Sequence, residues 1–388
     1  MRDALGGETV LIAALSGRAL AESARRAGFE VLVADCFGDA DTLKAASAHR
    51  LLPHALRNGF RYRSLLVALR SLASAASQAP IGLVLGTGFE DDPDLIARLA
   101  NDFRLLGCNA ETVRRAKEPL GLSALLAERG IRHPETSLEQ PAIANGWLVK
   151  RQGGSGGVHV HPLKEGETVH RHAYFQRAVE GITISAAVIS GEKDVAVAWS
   201  RQWTNPAPHM PYRYGGAVGA LRLGDELEAK LTHGILELLP ALDLRGLVSF
   251  DFMICEGGEP LLIEINPRPG ATLDVLDDNR GTLFRAHVEA SLSMHTLRQT
   301  IKRWDRPLAR AAAYLYADRG PLTVSPTDLP DWVSDRPSGP CRIRKYRPVC
   351  TVIAEAETPE LAEASCRERL GLVADMLYEV KKGKETNL

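Results

Sequence analysis

The chain has 388 residues, and its 47 lysines and arginines almost balance its 48 aspartates and glutamates, for a formal net charge of −1. This balance excludes a protein that is basic throughout, so neither a nucleic acid nor an anionic membrane is an expected partner. The length suits two or three domains, each with room for a sizeable core.

The cysteines and the apolar runs indicate a protein of the cytoplasm. The six cysteines form no Cys-x-x-Cys pair and no zinc-like spacing, which is typical of free thiols in a reducing compartment. The N-terminus lacks a basic segment followed by an apolar one, and no apolar run approaches the roughly 18–20 residues that span a bilayer. We therefore expect a soluble, cytoplasmic protein.

The chain opens with alternating strand and helix patterns. An apolar run at Thr9–Leu15, an alanine-rich helical stretch up to Gly28, and apolar runs at Glu30–Asp35 and 81–85 predict a parallel sheet covered by helices. Ser16 and Gly17 stand between the first strand and helix, where backbone N–H groups can bind an anion. A lone glycine is weak evidence for such a site, and an ordinary turn is the alternative.

The next segment contains a helix start and a glycine-rich loop. Asn109 is a good N-cap, so a helix should begin there; it carries Lys117 and breaks near Pro119, and a second helix runs to Gly130. A strand at Leu148–Gln152 then leads into a loop whose glycines allow backbone N–H groups to approach phosphate oxygens, with Lys150 on the leading strand. The alternative is a flexible linker. The loop residues are Gly153, Gly154, Ser155, Gly156 and Gly157.

Strands at 186–189 and 195–199 turn at Gly191, and a segment at 203–219 follows that is too rich in Pro and Gly for regular structure. It contains Arg213, which could grip a carboxylate or a phosphate, or could be a solvated arginine. The apolar spacing of Asp225–Leu239 predicts an amphipathic helix that ends at Pro240.

The most informative stretch is 246–270, in which two apolar runs flank Gly257-Gly258. A Gly-Gly pair is typical of a two-residue hairpin turn. Such a turn places Asp251 opposite Glu264 on one face, with Asn266 beside them, and puts an apolar set on the other face. The expected apolar pairs are Phe250 with Ile265, Phe252 with Ile263 and Ile254 with Leu261.

Like charges directly opposite each other destabilise a hairpin, so a cation should compensate for Asp251 and Glu264. Mg²⁺ suits the place, because it takes oxygen ligands from carboxylates, amides and phosphates. A solvated face with two unrelated acids is the alternative. Arg268 follows at once, between two prolines that make the turn rigid.

Beyond the hairpin, a helix is expected from Leu276 to about Leu297. Strands at 311–316, 341–346 and 348–354, with helices at Pro359–Leu370 and Val373–Lys381, predict a small C-terminal α+β segment.

Asp251 together with Ile263-Glu264-Ile265-Asn266-Pro267-Arg268 resembles the metal-binding hairpin of the ATP-grasp superfamily, and the resemblance covers most of the chain. It implies that Asp251, Glu264 and Asn266 hold Mg²⁺ (or Mn²⁺) against ATP. It also implies that Arg268 faces the transferred phosphoryl group. Many members carry Arg where this chain has Ser249, and Arg213 is a candidate to replace that cation.

The same resemblance implies further ATP contacts. Lys117 and Lys150 would lie at the phosphates, together with the glycine-rich loop. Gln176 would meet the adenine amino group and Val179 would offer its backbone. Thr183 stands where the family often has an acid for the ribose, and Glu180 is a possible substitute.

The resemblance further implies three regions: an N-terminal parallel-sheet domain at 1–108 on the substrate side, a two-lobed ATP-grasp fold at 109–300 and a C-terminal segment at 301–388. The lobes would be 109–175, with the glycine-rich loop, and 176–300, with the metal hairpin. In fold class the chain is therefore expected to be α/β and α+β.

The implied activity is an ADP-forming ligase that activates a carboxylate as an acyl phosphate and joins it to an amine. Similarity to a group of carboligases related to biotin carboxylase implies an amino acid or glutamyl substrate in the biosynthesis of a one-carbon carrier of the methanofuran or tetrahydromethanopterin type. One alternative is a biotin-carboxylase-like or ribonucleotide carboxylase that uses bicarbonate. Another is a regulatory subunit that binds ATP without turnover. The expected partners are small molecules and, in addition, a second copy in a homodimer.

Overall fold

The computed structural model describes residues 5–385 and begins with a five-stranded parallel sheet. The alternating strand and helix patterns predict such a sheet, and its strand order is β3-β2-β1-β4-β5. The strands are β1 (Thr9–Ala13), β2 (Glu30–Asp35), β3 (Ala48–Leu51), β4 (Leu83–Leu85) and β5 (Leu105–Leu106). The helices between them are α1 (Arg18–Arg26), α2 (Ala40–Ala45), α3 (Ala55–Asn58), α4 (Tyr62–Ala75) and α5 (Pro93–Leu99).

A small antiparallel lobe follows two short helices, α6 (Ala110–Lys117) and α7 (Pro119–Glu128). The side chain of Asn109 caps α6 by accepting a hydrogen bond from the Thr112 N–H, as predicted. The lobe has strand order β6-β9-β7-β8. Its strands are β6 (Thr136–Ser137), β7 (Trp147–Arg151), β8 (His161–Pro162) and β9 (Ala173–Arg177).

The rest of the chain builds an eight-stranded sheet with the order β14-β13-β10-β11-β12-β15-β19-β17. Its strands are β10 (Ile182–Ser190), β11 (Val195–Thr204), β12 (Tyr214–Leu221), β13 (Gly246–Ile254), β14 (Pro260–Asn266), β15 (Ala309–Tyr316), β17 (Val333–Ser334) and β19 (Pro348–Ala356). Two further strands, β16 (Leu322–Val324) and β18 (Cys341–Ile343), pair with each other. The helices are α8 (Asp225–Ala241), α9 (Leu273–Leu276), α10 (Thr282–Ser291), α11 (Leu297–Lys302) and α12 (Pro359–Glu385).

The C-terminal strands belong to the same sheet as the hairpin, because β15 pairs with β12 and β19 pairs with β15. One continuous cluster of buried apolar side chains also joins the parallel sheet to the large sheet, from Leu11 through Val113 to Phe250. The boundaries expected at 108 and 300 remain predictions. In residues 5–385, no helix has the length and apolar character that crossing a membrane requires.

Three predicted elements differ from the structure. The end of the segment 203–219, from Tyr214 onward, is strand β12. This strand requires glycine at 216, because a Cβ there would lie 2.5 Å from the Trp203 ring and 2.6 Å from the Ala312 carbonyl oxygen. The helix expected from Leu276 to Leu297 is interrupted. Asp277 and Asp278 accept hydrogen bonds from the first N–H groups of α10, and Gly281 approaches α1 so closely that a Cβ would lie 2.0 Å from the Ser23 carbonyl oxygen.

The two expected C-terminal helices are one helix, α12, which runs through Gly371. A glycine inside a helix costs about 1 kcal/mol relative to alanine. The apolar face of α12 outweighs this cost, because Cys366, Val373 and Leu377 on either side of the glycine are buried in the core beneath β15 and β19.

The hairpin keeps its predicted register only near the acids. Ser249 pairs with Asn266 and Asp251 with Glu264, as expected, but the register then shifts and Phe252 pairs with Leu262. The turn has three residues, Glu256–Gly258, and the Cys255 N–H donates to the Glu259 carbonyl across it. This turn shifts the strand pairing by one residue from the predicted register, and a bulge at position 263 restores the predicted pairing of Asp251 with Glu264. The predicted apolar pairs beyond Asp251 are therefore wrong.

The bulge predicts that alanine substitutions at two adjacent positions lower the free energy of unfolding by different amounts. Leu262 is 2% exposed in the core, whereas Ile263 is half-buried and lines a pocket. Leu262→Ala should therefore lower the free energy of unfolding by about 2–4 kcal/mol and Ile263→Ala by about 1 kcal/mol or less, measured by urea unfolding. The opposite order would contradict the bulge.

Candidate active site

The inner face of the hairpin brings three oxygen-bearing side chains together. The Asn266 Nδ2 donates to Asp251 Oδ2 at 3.0 Å, and Asp251 lies opposite Glu264. The other carboxylate oxygen of Asp251 accepts hydrogen bonds from Ser185 Oγ (2.7 Å) and Gln202 Nε2 (3.1 Å) on β10 and β11. The predicted metal ligands therefore form one cluster on the edge strand β14 and its neighbour β13 of the large sheet.

Two buried lysines face this cluster. The Lys117 Nζ donates to Glu264 Oε1 at 2.6 Å and to Asn266 Oδ1 at 2.9 Å, so the end of α6 is tied to β14. The Lys150 Nζ, on β7, donates to the Gln176 Oε1 at 2.8 Å. Both lysines are 8% exposed. The two ammonium groups therefore lie beside Asp251 and Glu264 and offset the repulsion between these carboxylates.

These charges separate the pKa values of the two carboxyls. Burial, with Glu264 adding to it, raises the pKa of Asp251 to about 6. Burial also acts to raise the pKa of Glu264, but the ammonium groups of Lys117 and Lys150 outweigh it and the pKa is lowered. Glu264 therefore carries the stable negative charge, and Asp251 is the acid that needs a further cation.

Arg268 lies beside the cluster and is held by a residue that the sequence did not reveal, Glu90. The Arg268 Nε donates to Glu90 Oε1 at 2.6 Å, and its Nη2 lies 3.5 Å from Asn266 Oδ1. Glu90 is 4% exposed, and its other oxygen accepts from the N–H groups of Gly88 and Phe89. Glu90 and Arg268 are 178 residues apart in sequence. The only sequence signal for a functional role of Glu90 is its position after β4 and a glycine turn.

A pocket next to the cluster contains many of the predicted ATP residues. It lies between α6, α7, the small lobe and β14, and it includes Tyr174 and His159, to which the sequence analysis assigned no contact with ATP. The predicted residues that line it are Lys117, Lys150, Gly153, Gly156, Gly157, Gln176 and Glu264. Most of the predicted phosphate contacts therefore share one space with a metal ligand.

The glycine-rich loop is packed closely on both sides. A Cβ at Gly153 would lie 2.5 Å from the Asp91 backbone, and a Cβ at Gly157 would lie 1.9 Å from the Tyr212 carbonyl oxygen. Both residues have φ near +70°, which favours glycine. Gly154 covers the face of the His159 ring, and Ser155 is half-buried. The loop thus contacts both the N-terminal region and the start of β12.

Five predicted nucleotide residues are not among those that line the pocket, namely Gly154 and Ser155 of the loop and Val179, Glu180 and Thr183. Glu180 is exposed, Val179 is half-buried, and Thr183 lies on β10 between Gln202 and Met253. Gln176 does line it, but its side-chain oxygen is occupied by Lys150 and its Nε2 lies 3.3 Å from Thr136 Oγ1. The adenine and ribose contacts remain predictions.

The residues expected at the substrate have internal partners. The Gly17 N–H donates to Asp35 Oδ2 at 3.0 Å, so a carboxylate of the protein itself occupies the start of α1, and Ser16 is exposed beside it. Arg213 is completely buried and donates from both Nη atoms to Asp318, at 3.0 and 2.8 Å. Arg213 was expected to replace the arginine that many family members carry at the position of Ser249. In the structure, its guanidinium is instead paired with Asp318.

The oxygen atoms of Asp251, Glu264 and Asn266 suit a hard divalent cation whose remaining ligands are phosphate oxygens. In residues 5–385, no group of three or more His, Cys, Asp and Glu side chains could hold a metal ion by itself. The cluster instead offers two carboxylates and one amide oxygen, which is typical of Mg²⁺ sites completed by nucleotide phosphates. The raised pKa of Asp251 is consistent with a carboxylate arranged for a cation.

Residues 120–272 match the family model described as ATP-grasp domain. Solved structures extend the fold likeness to nearly the whole chain. An L-amino acid ligase from Bacillus licheniformis is 14% identical over 96% of this chain and 98% of that chain, with a TM-score of 0.69. N5-carboxyaminoimidazole ribonucleotide synthetase from Thermotoga maritima is 15% identical over 94% of this chain and 98% of that chain, with a TM-score of 0.65. A biotin carboxylase complex from Campylobacter jejuni is 12% identical over 94% of this chain and 90% of that chain, with a TM-score of 0.67. A comparison with curated proteins found no match.

Residues 120–272 are therefore similar to the ATP-grasp domain, as the sequence predicts, within a fold that the solved structures share along almost their full length. ATP and Mg²⁺ are the cofactors that the similarity of this segment implies. The predicted mixed α/β fold is confirmed as well.

The Lys117–Glu264 pair predicts that Glu264→Gln destabilises the metal-free protein at pH 7. Glu264→Gln removes the ion pair between this carboxylate and Lys117, a buried lysine, and the loss of the pair outweighs the relief of repulsion with Asp251. Because the Glu264 side chain is 36% exposed, we expect only about 1–2 kcal/mol in urea unfolding with EDTA. Glu259→Gln, which removes exposed pairs with Lys230 and Arg132, is the control and should leave the urea midpoint nearly unchanged. An unchanged or more stable Glu264→Gln would show that the repulsion dominates.

The pKa of Asp251 predicts how metal affinity depends on pH. With a pKa of about 6, this carboxyl is mostly protonated below that pH and must lose its proton to bind a cation. The affinity for Mn²⁺ alone, measured by electron paramagnetic resonance, should be constant above pH 7 and fall about tenfold per pH unit well below 6. An affinity that stays constant down to pH 5 would remove Asp251 from the metal site.

Proposed function

We propose that the protein is an ATP-dependent ligase that joins a small-molecule carboxylate to an amine. In this reaction a carboxylate oxygen attacks the γ-phosphorus of ATP and ADP leaves. The amine nitrogen then attacks the carbonyl carbon of the acyl phosphate, and inorganic phosphate leaves with the proton lost from the amine. The observation that supports this proposal is the cluster of Asp251, Glu264 and Asn266, with two buried lysines and Arg268 beside a glycine-lined pocket.

The side chains would act by position and charge. Lys150 and Lys117 line the pocket and would neutralise the phosphates, while Arg268, fixed by Glu90, would face the phosphoryl group as it leaves ATP. Asp251, Glu264 and Asn266 would hold Mg²⁺, which when bound neutralises the phosphate charge. No covalent bond to the protein is required.

The proposed substrate is an amino acid or a glutamyl compound, and the proposed setting is the biosynthesis of a one-carbon carrier of the methanofuran or tetrahydromethanopterin type. The amino acid part is supported by the fold that the chain shares with the L-amino acid ligase. The carrier part rests on the resemblance of the sequence alone. A homodimer is also part of the proposal.

A carboxylase that uses bicarbonate is the second candidate. Its support is the fold likeness to N5-carboxyaminoimidazole ribonucleotide synthetase and to biotin carboxylase. A regulatory subunit without turnover is less well supported, because all three proposed metal ligands and the three cations lie together.

A screen for ADP release separates these candidates. The protein is incubated with Mg-ATP and pairs of amino acid or glutamyl carboxylates with amines, with and without added bicarbonate, and products are identified by mass spectrometry. A product with the summed mass of acid and amine less water supports the ligase. Turnover that requires bicarbonate supports the carboxylase, and ATP binding without ADP across all pairs supports the regulatory subunit.

Arg268→Lys should reduce kcat and kcat/KM for ATP together, by about 10²–10³-fold. A guanidinium contacts two phosphoryl oxygens at once, whereas lysine offers a single charge on a flexible stem. An interaction made mainly in the transition state lowers both constants, and one made equally with bound ATP raises KM alone. Arg298→Lys, at an arginine that is 70% exposed and paired with Asp194, is the matched control. A raised KM with normal kcat would assign Arg268 to ATP binding.

A further inference from the structure

Two tyrosine hydroxyls near the proposed metal ligands have no partner within the fold. The rings of Tyr214 on β12 and Tyr314 on β15 are in edge contact, with their centroids 5.3 Å apart. In the part of the chain that the structure describes, no group forms a hydrogen bond with either hydroxyl, and neither hydroxyl is sealed from solvent. By contrast, Tyr316 donates to the Tyr214 carbonyl and Tyr378 to the Gly320 carbonyl, both at 2.7 Å. The two free hydroxyls are therefore available to a ligand.

A bulge directs Tyr214 toward the metal ligands. Thr204 on β11 pairs with Tyr214, and Gly215, which is left out of the pairing, is the additional residue. Side chains two residues apart in a strand lie on the same face of the sheet. Thr204 therefore shares a face with Gln202, which donates to Asp251 Oδ1 at 3.1 Å. Tyr214, opposite Thr204, lies on that face as well.

Tyr214 also contacts the loop that is proposed to bind phosphate. Its N–H donates to the Gly156 carbonyl at 3.0 Å, and Gly156 lines the nucleotide pocket. Tyr214 thus lies where the phosphate end of the pocket meets the metal cluster, which is where a substrate carboxylate would attack the γ-phosphorus. Such a position suits a group of the substrate.

A buried arginine on α1 is saturated by acids. Arg18, at 3% exposure, donates from Nη2 to Asp274 at 2.7 Å and from Nε to Asp335 at 3.0 Å. Its remaining N–H groups donate to Asp274, Asp335 and Glu22. Arg18 thus has no N–H left for a substrate carboxylate, and one guanidinium faces three carboxyl groups. The cluster therefore attracts a further cation.

This acidic cluster borders the two tyrosines. Thr351, which pairs with Tyr314 across β15 and β19, donates to Asp335. Burial, and then the charges of Asp335 and Asp274, raise the pKa of Tyr314. Burial, and then Tyr314 and Asp274, raise the pKa of Tyr214 well above its ordinary value. Both hydroxyls are therefore neutral at pH 7 and can accept a hydrogen bond from a cation.

We propose that Tyr214, Tyr314 and Asp274 bind the ammonium group of the carboxylate substrate, so that the acid which the protein activates is an amino acid with a free amino group. This assignment rests on the proposed function, because it assumes that the acyl phosphate forms at the metal cluster. The phenol oxygens would accept hydrogen bonds from the ammonium, and Asp274 would supply the opposite charge. An ammonium suits the place better than a metal ion, since no three His, Cys, Asp and Glu side chains among the described residues could hold one.

The group bound at the two tyrosines is not the amine that attacks the acyl phosphate. An attacking nitrogen must be unprotonated, whereas the carboxylates of Asp274 and Asp335 favour the protonated form of a nearby amine. The ammonium therefore serves recognition, and the attacking amine binds elsewhere.

The test uses the full chain with Mg-ATP and hydroxylamine. The hydroxylamine nitrogen attacks the acyl carbon and loses a proton as phosphate leaves, so the hydroxamate that forms can be measured whatever the natural amine is. Each common L-amino acid is compared with the same acid without its amino group. We expect activation of an amino acid and a kcat/KM at least about 10²-fold lower for its amino-free counterpart, because the buried polar groups would then be unpaired.

Two variants test the hydroxyls one at a time. Tyr214→Phe and Tyr314→Phe keep the rings and should each raise the KM of the amino acid about tenfold, the usual loss for a hydrogen bond to a charged group, with the KM of ATP unchanged. Tyr378→Phe, which removes a hydroxyl that has a partner in the protein, is the matched control and should leave both KM values unchanged.

The outcomes separate the assignment from the proposed function. Equal activation of the amino acid and its amino-free counterpart, or activation of amino-free acids only, would overturn the assignment, and this comparison needs no variant to fold. A normal KM in both phenylalanine variants would overturn it too, as would an equal rise in the KM of ATP, which would indicate a general disturbance of the pocket. No hydroxamate from any acid, with or without an amino group, would overturn the proposed function itself.

Discussion

Two carboxylates on one face of a hairpin, Asp251 and Glu264, repel each other unless positive charge lies beside them. The structure supplies that charge from the far end of α6 through Lys117, from the small lobe through Lys150 and from the turn after β14 through Arg268. Each cation comes from a different element. The attraction between these cations and the two carboxylates therefore helps to hold the small lobe and α6 against the hairpin. The same side chains that are proposed to bind ATP and metal therefore also connect three elements of the fold.

Arg268 extends this network to the N-terminal sheet. Its guanidinium is bound by Glu90, whose pKa, despite the effect of burial, is lowered by Arg268 and Lys117. Glu90 is itself fixed by the backbone N–H groups that follow β4. The sheet that opens the chain therefore orients a side chain at the proposed reaction centre, although none of its strands carries a predicted phosphate contact.

Local chemistry explains which parts of the structure the sequence could predict. The parallel sheet, the Asn109 cap and the pairing of Asp251 with Glu264 follow from periodicity, capping and alternation within short segments. The bulge at position 263 depends on which of two apolar residues fits the core, and β12 depends on Trp203 and Ala312 leaving room for Gly216 only. The Arg268–Glu90 pair joins residues far apart in sequence, so neither residue alone reveals it.

The continuation of the large sheet into β15, β19 and β17 has a practical consequence for work with fragments. A fragment that ends at residue 300 would leave one whole side of β12, including Val218 and the glycines on either side of it, without the main-chain partners that β15 provides. Exposed strand edges of this kind recruit other chains and cause aggregation. The segment that matches the ATP-grasp domain, 120–272, lacks β15 and β19. A fragment made to study nucleotide binding should therefore extend at least through α12, which packs on both strands.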